Sequence, residues 1–424
     1  MKMYEINQQF SREKLLDLES VVASEIDRLL NVDDLPENGE IAITAGSRGI
    51  TNILEILRAI VNSLKQKGFK PFLVPAMGSH GGATASGQIE VLSHLGITES
   101  TVGAPIRSSM DVVYIAETPE GMPVYMDRNA FKADGIIVVN RVKAHTAFRG
   151  RIESGLSKMI AIGLGKIKGA THIHENGALN MAVNIESVSK VALERSPILF
   201  GLAIIENGFD DTAGITGIRK DEWHSKEQEL LIKSKEMMPC LPVENMDLLI
   251  VEEMGKCFSG TGMDPNIIGR WRILGSPEPV NPEIKRIVVL DLAEQSFGNA
   301  QGIGLADFTT ERLFQKIDRK STYTNALTST YLQRAMIPLI YLSEKDAIET
   351  ALQSLGPEFD KTDAKVVQVA NTLHLGKVLV SKAVLDELER SKKEFEIVRT
   401  HLLTFNGEGS LVKKLTNQSH EERS

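Results

Sequence analysis

The sequence predicts an α/β protein of two domains, each a mostly parallel sheet flanked by helices, with a cleft between them. Three observations carry this. The chain has 424 residues, and single hydrophobic cores stop growing beyond roughly 250–300 residues. Strand-length apolar runs rich in β-branched residues alternate with helical patterns, which is how parallel sheets covered on both faces are written. The alternation breaks at Pro239-Cys240-Leu241-Pro242 and then restarts. Domains over residues 1–243 and 244–424 follow.

In chain order, Glu40–Ala45 is the first strong strand and ends in Gly46-Ser47-Arg48-Gly49. Ile50–Gln66 is a helix, because Ile53, Leu54, Ile56, Leu57, Ile60, Val61 and Leu64 form one apolar stripe. Lys70–Val74 is the next strand and runs into Gly78-Ser79-His80-Gly81-Gly82. Ser86–His94 is a short helix. Val112–Ile115 and Ala133–Asn140 are strands, Ala178–Leu193 a long helix, and Ile198–Glu206 a strand. In the second half, Asp247–Val251, Ile284–Asp291, Ile337–Leu342 and Val366–Val369 read as strands, and Asn299–Thr310 as a Gly-rich loop. The tail from Lys414 onward is polar and reads as frayed.

Composition removes several function classes. With 48 Lys+Arg against 56 Asp+Glu the net charge is -8, a poor match to a phosphate backbone, so no nucleic-acid partner is expected. No apolar stretch approaches the ~20 residues that span a bilayer, so no membrane role is expected either. Two cysteines, Cys240 and Cys257, form neither a disulfide framework nor a thiolate metal cluster. They suit a reducing, cytoplasmic setting.

Open α/β sheets bind ligands beyond the carboxyl ends of their strands. The polar residues there are Ser47 and Arg48, Ser79 and His80, Lys143 and His145, and, in the second half, Glu252, Glu253 and Lys256. His80 sits among glycines that admit close backbone approach, as an acid/base, a ligand or an ordinary turn histidine. His145 closes a basic run, Asn140-Arg141-Val142-Lys143-Ala144, which suits a carboxylate or phosphate or is simply a solvated face. Lys158, alone between small and apolar residues, is a candidate nucleophile if partly buried and an ordinary surface lysine otherwise. His172 and His174 share a face only on a strand; on a helix they lie about 200° apart. Imidazole suits nickel, zinc or iron. Lys166 and Lys168 in Gly163-Leu164-Gly165-Lys166-Ile167-Lys168-Gly169 suit a phosphate.

The order Arg48, His80, His145, Lys158, His174 resembles the nickel-pincer-dependent lactate racemase family, the 2-hydroxyacid racemases and epimerases. Lys158 to Gly163 is five residues and Gly163 to His174 is eleven, both matching the family pattern. The thirteen from His145 to Lys158 is longer than in lactate racemase. The resemblance covers residues 40–275. It implies a cytoplasmic isomerase. Lys158 would carry a pyridinium thioamide/thiocarboxylate mononucleotide, and His174 would complete the coordination of its nickel. His80 and His145 would be the acid/base pair, Arg48 would orient substrate or cofactor, and Lys166 and Lys168 would meet the cofactor phosphate. It further implies a small hydroxy acid as substrate and cofactor-biosynthesis proteins as partners.

The chain departs from that pattern in three places. Ala45 stands where the family has the aspartate that steadies the arginine. Gly269 and Arg272 stand where a glutamine and a lysine would point at the substrate. Arg272, with Arg270 beside it, would then bind a larger or more anionic acid, such as a sugar acid. Two other classes compete: a metal-dependent hydrolase or lyase using His172, His174 and Glu175, and a non-catalytic ligand-binding homologue.

Overall fold

The computed structural model describes residues 1–47, 49–175 and 177–416. It is a mixed α/β structure of two compact units, one of Ser11–Met238 and one of Met1–Phe10 with Pro239–Ser424. The division falls at 238/239 rather than 243/244, and the first ten residues join the second unit.

In chain order the strands are β1 (Lys2–Gln8), β2 (Glu40–Ala45), β3 (Lys70–Pro75), β4 (Val112–Glu117), β5 (Pro123–Asp127), β6 (Gly135–Arg141), β7 (Ile198–Glu206) and β8 (Thr212–Arg219). They continue with β9 (Asn245–Val251), β10 (Glu283–Val289), β11 (Phe308–Thr310), β12 (Leu339–Tyr341), β13 (Val366–Val369), β14 (Lys377–Ser381) and β15 (Phe395–Leu402).

Among the described residues, the Ser11–Met238 unit holds a five-stranded sheet in the order β3-β2-β6-β7-β8. β3, β2, β6 and β7 are parallel, and β8 closes the edge antiparallel to β7. Residues alternate between two cores, as a pleated strand buried on both faces requires. Ile41, Ile43, Ile137, Val139, Phe200 and Leu202 pack with the helices Leu18–Leu29 and Ile53–Gln66. Ala42, Phe72, Val74, Ile136 and Val138 pack on the other face with Leu156, Ile160, Ile173, Ile185 and Trp223. Each fully buried aliphatic side chain there contributes about 1.5–3 kcal/mol. The Val112–Ile115 strand lies outside this sheet: β4 pairs only with β5, as an antiparallel hairpin.

The second unit holds an eight-stranded sheet, β12-β11-β10-β9-β13-β14-β1-β15. β12 through β13 are parallel and the last three strands antiparallel. The amino-terminal strand lies inside this sheet, next to the edge strand β15, with Tyr4 opposite both Val380 and Thr400. Of the tail expected to fray, residues 417–424 lie outside the described residues, while Lys414–Thr416 are tied down. The Leu415 and Thr416 backbone N–H groups donate to the buried Glu252 carboxylate at 2.8 and 2.9 Å. No helix among the described residues is long and apolar enough to cross a membrane.

Candidate active site

The site is built where β2, β3 and β6, three adjacent parallel strands, end. After β3 the chain turns sharply, and the Gly78 N–H donates to the Gly163 carbonyl at 3.2 Å. Gly163 must be a glycine: a Cβ there would lie 2.7 Å from the Ala76 carbonyl oxygen. After β2, Gly46 packs against the Met159 methyl. At the end of β6, the Asn140 side chain donates to the Gly155 carbonyl at 2.8 Å, and just beyond it Lys143 and Ser154 form a two-way backbone bridge. The three strand ends therefore close on one segment, 155–163, and Lys158 lies within it.

That segment is irregular. A single α-turn, Leu156–Lys158, runs into the π-helical stretch Met159–Leu164, a form found often at functional sites. Its apolar residues Leu156, Met159, Ile160 and Leu164 are buried, so it is anchored, while Lys158 is half-buried.

The amino end of the segment is held by a residue that the strand-end rule does not reach. Glu227, on the helix Trp223–Met237, is 1% exposed. Its carboxylate accepts the Ser157 N–H at 3.1 Å and the Ser157 hydroxyl at 2.5 Å. Burial pushes its pKa up to about 7, against the lowering by Ser157 and the Leu156 N–H. The helix carries the signal: Trp223, Glu227, Leu231 and Ser234 share one buried face, so a carboxylate sits in an apolar stripe.

The sign of the resulting pH dependence follows. Between about pH 4.5 and 7 folded Glu227 holds a proton that the unfolded chain has lost. Its stabilisation is therefore full below that window and is lost as pH rises through it, on the order of 3 kcal/mol. Thermal melts from pH 5 to 8 are expected to show the wild type losing stability relative to Glu227→Gln as pH rises. A constant difference between the two proteins would contradict this.

His80 lies exposed at the β3 turn, with Nδ1 2.8 Å from the Met77 carbonyl oxygen. His145 is half-buried, its ring stacked on Phe148 at 4.1 Å. Its backbone N–H donates to Glu153 at 2.7 Å, and Glu153 also pairs with Lys235 at 2.7 Å. His172 and His174 lie on the helix Lys166–Glu175, not on a strand, so their side chains diverge. His172 stacks on Tyr125 at 5.9 Å and meets Glu175 at 3.3 Å. His174 is exposed by area, yet the protein around its ring withdraws water. That desolvation, and then the charge of Lys158, hold its pKa below the usual value. Lys158 and His174 are thus electrostatic neighbours. Among the described residues no three His, Cys, Asp or Glu side chains gather as a metal cluster.

Lys166 does not meet a phosphate. It is fully buried, and its ammonium reaches the Pro75 carbonyl at 2.5 Å, Gln88 Oε1 at 3.0 Å and Asp127 Oδ2 at 3.2 Å. Burial pushes the Asp127 pKa up and the Lys166 pKa down, each opposed by the partner's charge. Lys168 is exposed, its ammonium 6.0 Å from the Tyr125 ring centre. Arg48 lies outside the described residues. Ala45 is buried in the core at the end of β2.

In the second unit, Gly269 is not a vacated glutamine. It has φ 62, and a Cβ would lie 2.0 Å from the Pro282 carbonyl oxygen, so the backbone excludes any side chain. Arg270 is committed to Asp307 at 2.8 Å and to the Leu305 and Ile284 carbonyls at 3.1 and 2.7 Å. It is structural rather than half of an anion-binding pair. Arg272 is half-exposed and 3.4 Å from Asp307. Glu252, expected as a possible ligand at a strand end, is occupied by Gln368 at 2.7 Å and by the chain at 415–416.

Residues 27–185 match the lactate racemase N-terminal domain family. This part of the chain is lactate racemase-like. The match spans β2 through β6, the Lys158 segment and the His174 helix; Glu227 and the second unit lie outside it. The lactate racemase apoprotein from Thermoanaerobacterium thermosaccharolyticum aligns with a TM-score of 0.49 and 13% identity, over 88% of this chain and 98% of that one. No curated protein matches the chain.

Proposed function

We propose that the protein is a racemase or epimerase of a 2-hydroxy acid that works with a tethered nickel-pincer nucleotide. The observation that carries this reading is the closure of three strand ends on the segment bearing Lys158, within a lactate racemase-like domain.

The residues present fit such a group. The protein side of the site is one half-buried amine and one imidazole whose pKa is depressed. Neutral imidazole is the ligating form, and a mononucleotide that carries its own sulfur and carbon donors needs little more from the chain. Lys158 would be the tether, His174 the protein ligand to nickel, and Lys168 a phosphate partner. When bound, the group supplies an electrophilic acceptor for the hydride on the carbinol carbon.

The rest falls to side chains. The carbinol C–H is too weak an acid for a histidine to remove as a proton. A histidine can take the hydroxyl proton as hydride departs and return it later. His80 and His145, on the loops after β3 and β6, are the proposed pair. Arg48 is the proposed partner of the substrate carboxylate. The expectation of a larger or more anionic acid loses the arginine pair it rested on, because Arg270 is held by Asp307 and two backbone carbonyls.

The divergence of His172 and His174 on a helix leaves the hydrolase or lyase reading without its ligand pair. The test is stereochemical. Loaded protein, made alongside cofactor-building proteins, is incubated with single enantiomers or epimers of a hydroxy-acid panel. Appearance of the opposite configuration is expected, with loss of activity in His80→Gln and His145→Gln of about 10²–10⁴-fold, typical for general acid–base groups. Retention of configuration across the panel by loaded protein would contradict the proposal.

A further inference from the structure

The two strand-end histidines meet the backbone in opposite ways. At His80, Nδ1 lies 2.8 Å from the Met77 carbonyl oxygen. A carbonyl only accepts, so Nδ1 carries the hydrogen and, in the neutral ring, Nε2 carries the lone pair. The turn fixes this. The His80 N–H donates to the same carbonyl at 3.1 Å, and Gln88 Nε2, itself buried, donates to the Gly78 and His80 carbonyls at 3.1 and 3.3 Å.

At His145 the arrangement is inverted. The Ala147 backbone N–H donates to Nδ1 at 3.1 Å. An amide N–H only donates, so Nδ1 carries the lone pair and the hydrogen sits on Nε2. Phe148 stacks on the ring, and the His145 backbone is held by Glu153, which takes its N–H at 2.7 Å, and by Arg149, which donates to its carbonyl at 2.7 Å.

We propose that His80 and His145 are fixed in opposite tautomers by Met77 and Ala147, so that in the resting protein His80 is the proton acceptor and His145 a hydrogen-bond donor. The proposal rests on reading the two as the acid/base pair and refines it: they are not interchangeable bases.

The proton step is explicit. The substrate O–H bond breaks, its electron pair stays on oxygen, and the proton forms a bond to His80 Nε2, giving an imidazolium. His145 cannot take a proton at Nε2, which already carries one; it donates a hydrogen bond to a substrate oxygen instead. For His145 to deprotonate the opposite configuration, its hydrogen must move from Nε2 to Nδ1, which breaks the Ala147 contact, since loss of the Nε2 proton alone would leave an imidazolate. The Ala147 contact then reports a ring whose state changes within the cycle.

Long-range ¹⁵N–¹H correlation NMR on the full-length chain tests this, with ¹⁵N-labelled histidine, at a pH where both rings are neutral. His80→Gln and His145→Gln assign the signals. The expected result is a protonated Nδ1 at His80 and a protonated Nε2 at His145. The same tautomer in both rings, or averaging between tautomers in either, would overturn it. In Ala147→Pro, which lacks the N–H, the His145 signals are expected to shift toward the other tautomer while His80 stays unchanged. If that variant does not fold, the wild-type spectrum still decides. The measurement reads the rings and not turnover. Configurational inertness of loaded protein would therefore remove the racemase reading while leaving the tautomers intact, and the wrong tautomers would remove this proposal alone.

Discussion

Lys158→Ala is expected to stay at its unmodified mass under co-expression conditions in which the wild type gains a covalent adduct. Racemisation should fall to background, a loss of at least about 10³-fold, since removing the group that positions a reactant sacrifices the proximity advantage as well as the chemistry. The fold should not change. Lys158 is half-buried, and the segment is anchored by Leu156, Ile160, Leu164 and the Glu227 carboxylate, none of which the substitution touches. Intact mass spectrometry, activity and a thermal melt on the same preparation check all three. A silent substitution would remove the tether from the account and return His174 to the position of an ordinary helix histidine.

The second large effect is on stability. Asp127→Ala leaves the Lys166 ammonium buried without its 3.2 Å counter-charge. Breaking one side of a buried pair costs about 3–5 kcal/mol, which lowers the melting temperature of a unit of this size by roughly 6–20 °C. The double variant Asp127→Ala with Lys166→Met is expected to recover much of that loss, because no charge then remains buried and Met fills the lysine stem volume. The pair also ties β5 to the start of the His174 helix, and through the Pro75 carbonyl to the end of β3. A melt of the single variant within about 1 kcal/mol of wild type would place it among ordinary surface changes and would refute the pair's structural role.

Much of the first unit is legible in the sequence, and the reason is physical. β2, β6 and β7 are buried on both faces, so they are written as nearly unbroken apolar runs, and β2 and β7 have the bounds read from those runs. The antiparallel elements are harder. β1 pairs with strands 370–400 positions away in the chain, and no local pattern records that pairing. β15 is a mostly exposed edge, FEIVRTHL, whose polar residues hide its period. The site divides in the same way. His80 and His145 follow β3 and β6, the strand ends that the sequence already marks. Lys166 obeys a local rule, lysine beside glycine, but its partners Gln88 and Asp127 are distant in sequence, so its burial is invisible there. Glu227 has a local signature, a carboxylate within a buried helical stripe, but nothing in the sequence says which turn it caps.

The account stands on Lys158 and His174 being the two protein attachments of one nickel-bearing cofactor. The most direct test is intact mass with nickel analysis on full-length protein made together with the cofactor-building proteins, wild type beside His174→Ala. The account predicts a wild-type adduct mapping to Lys158 with stoichiometric nickel, and a His174→Ala protein with sharply reduced nickel. An unmodified, nickel-free wild-type chain from cells whose machinery loads a known lactate racemase in parallel would contradict it.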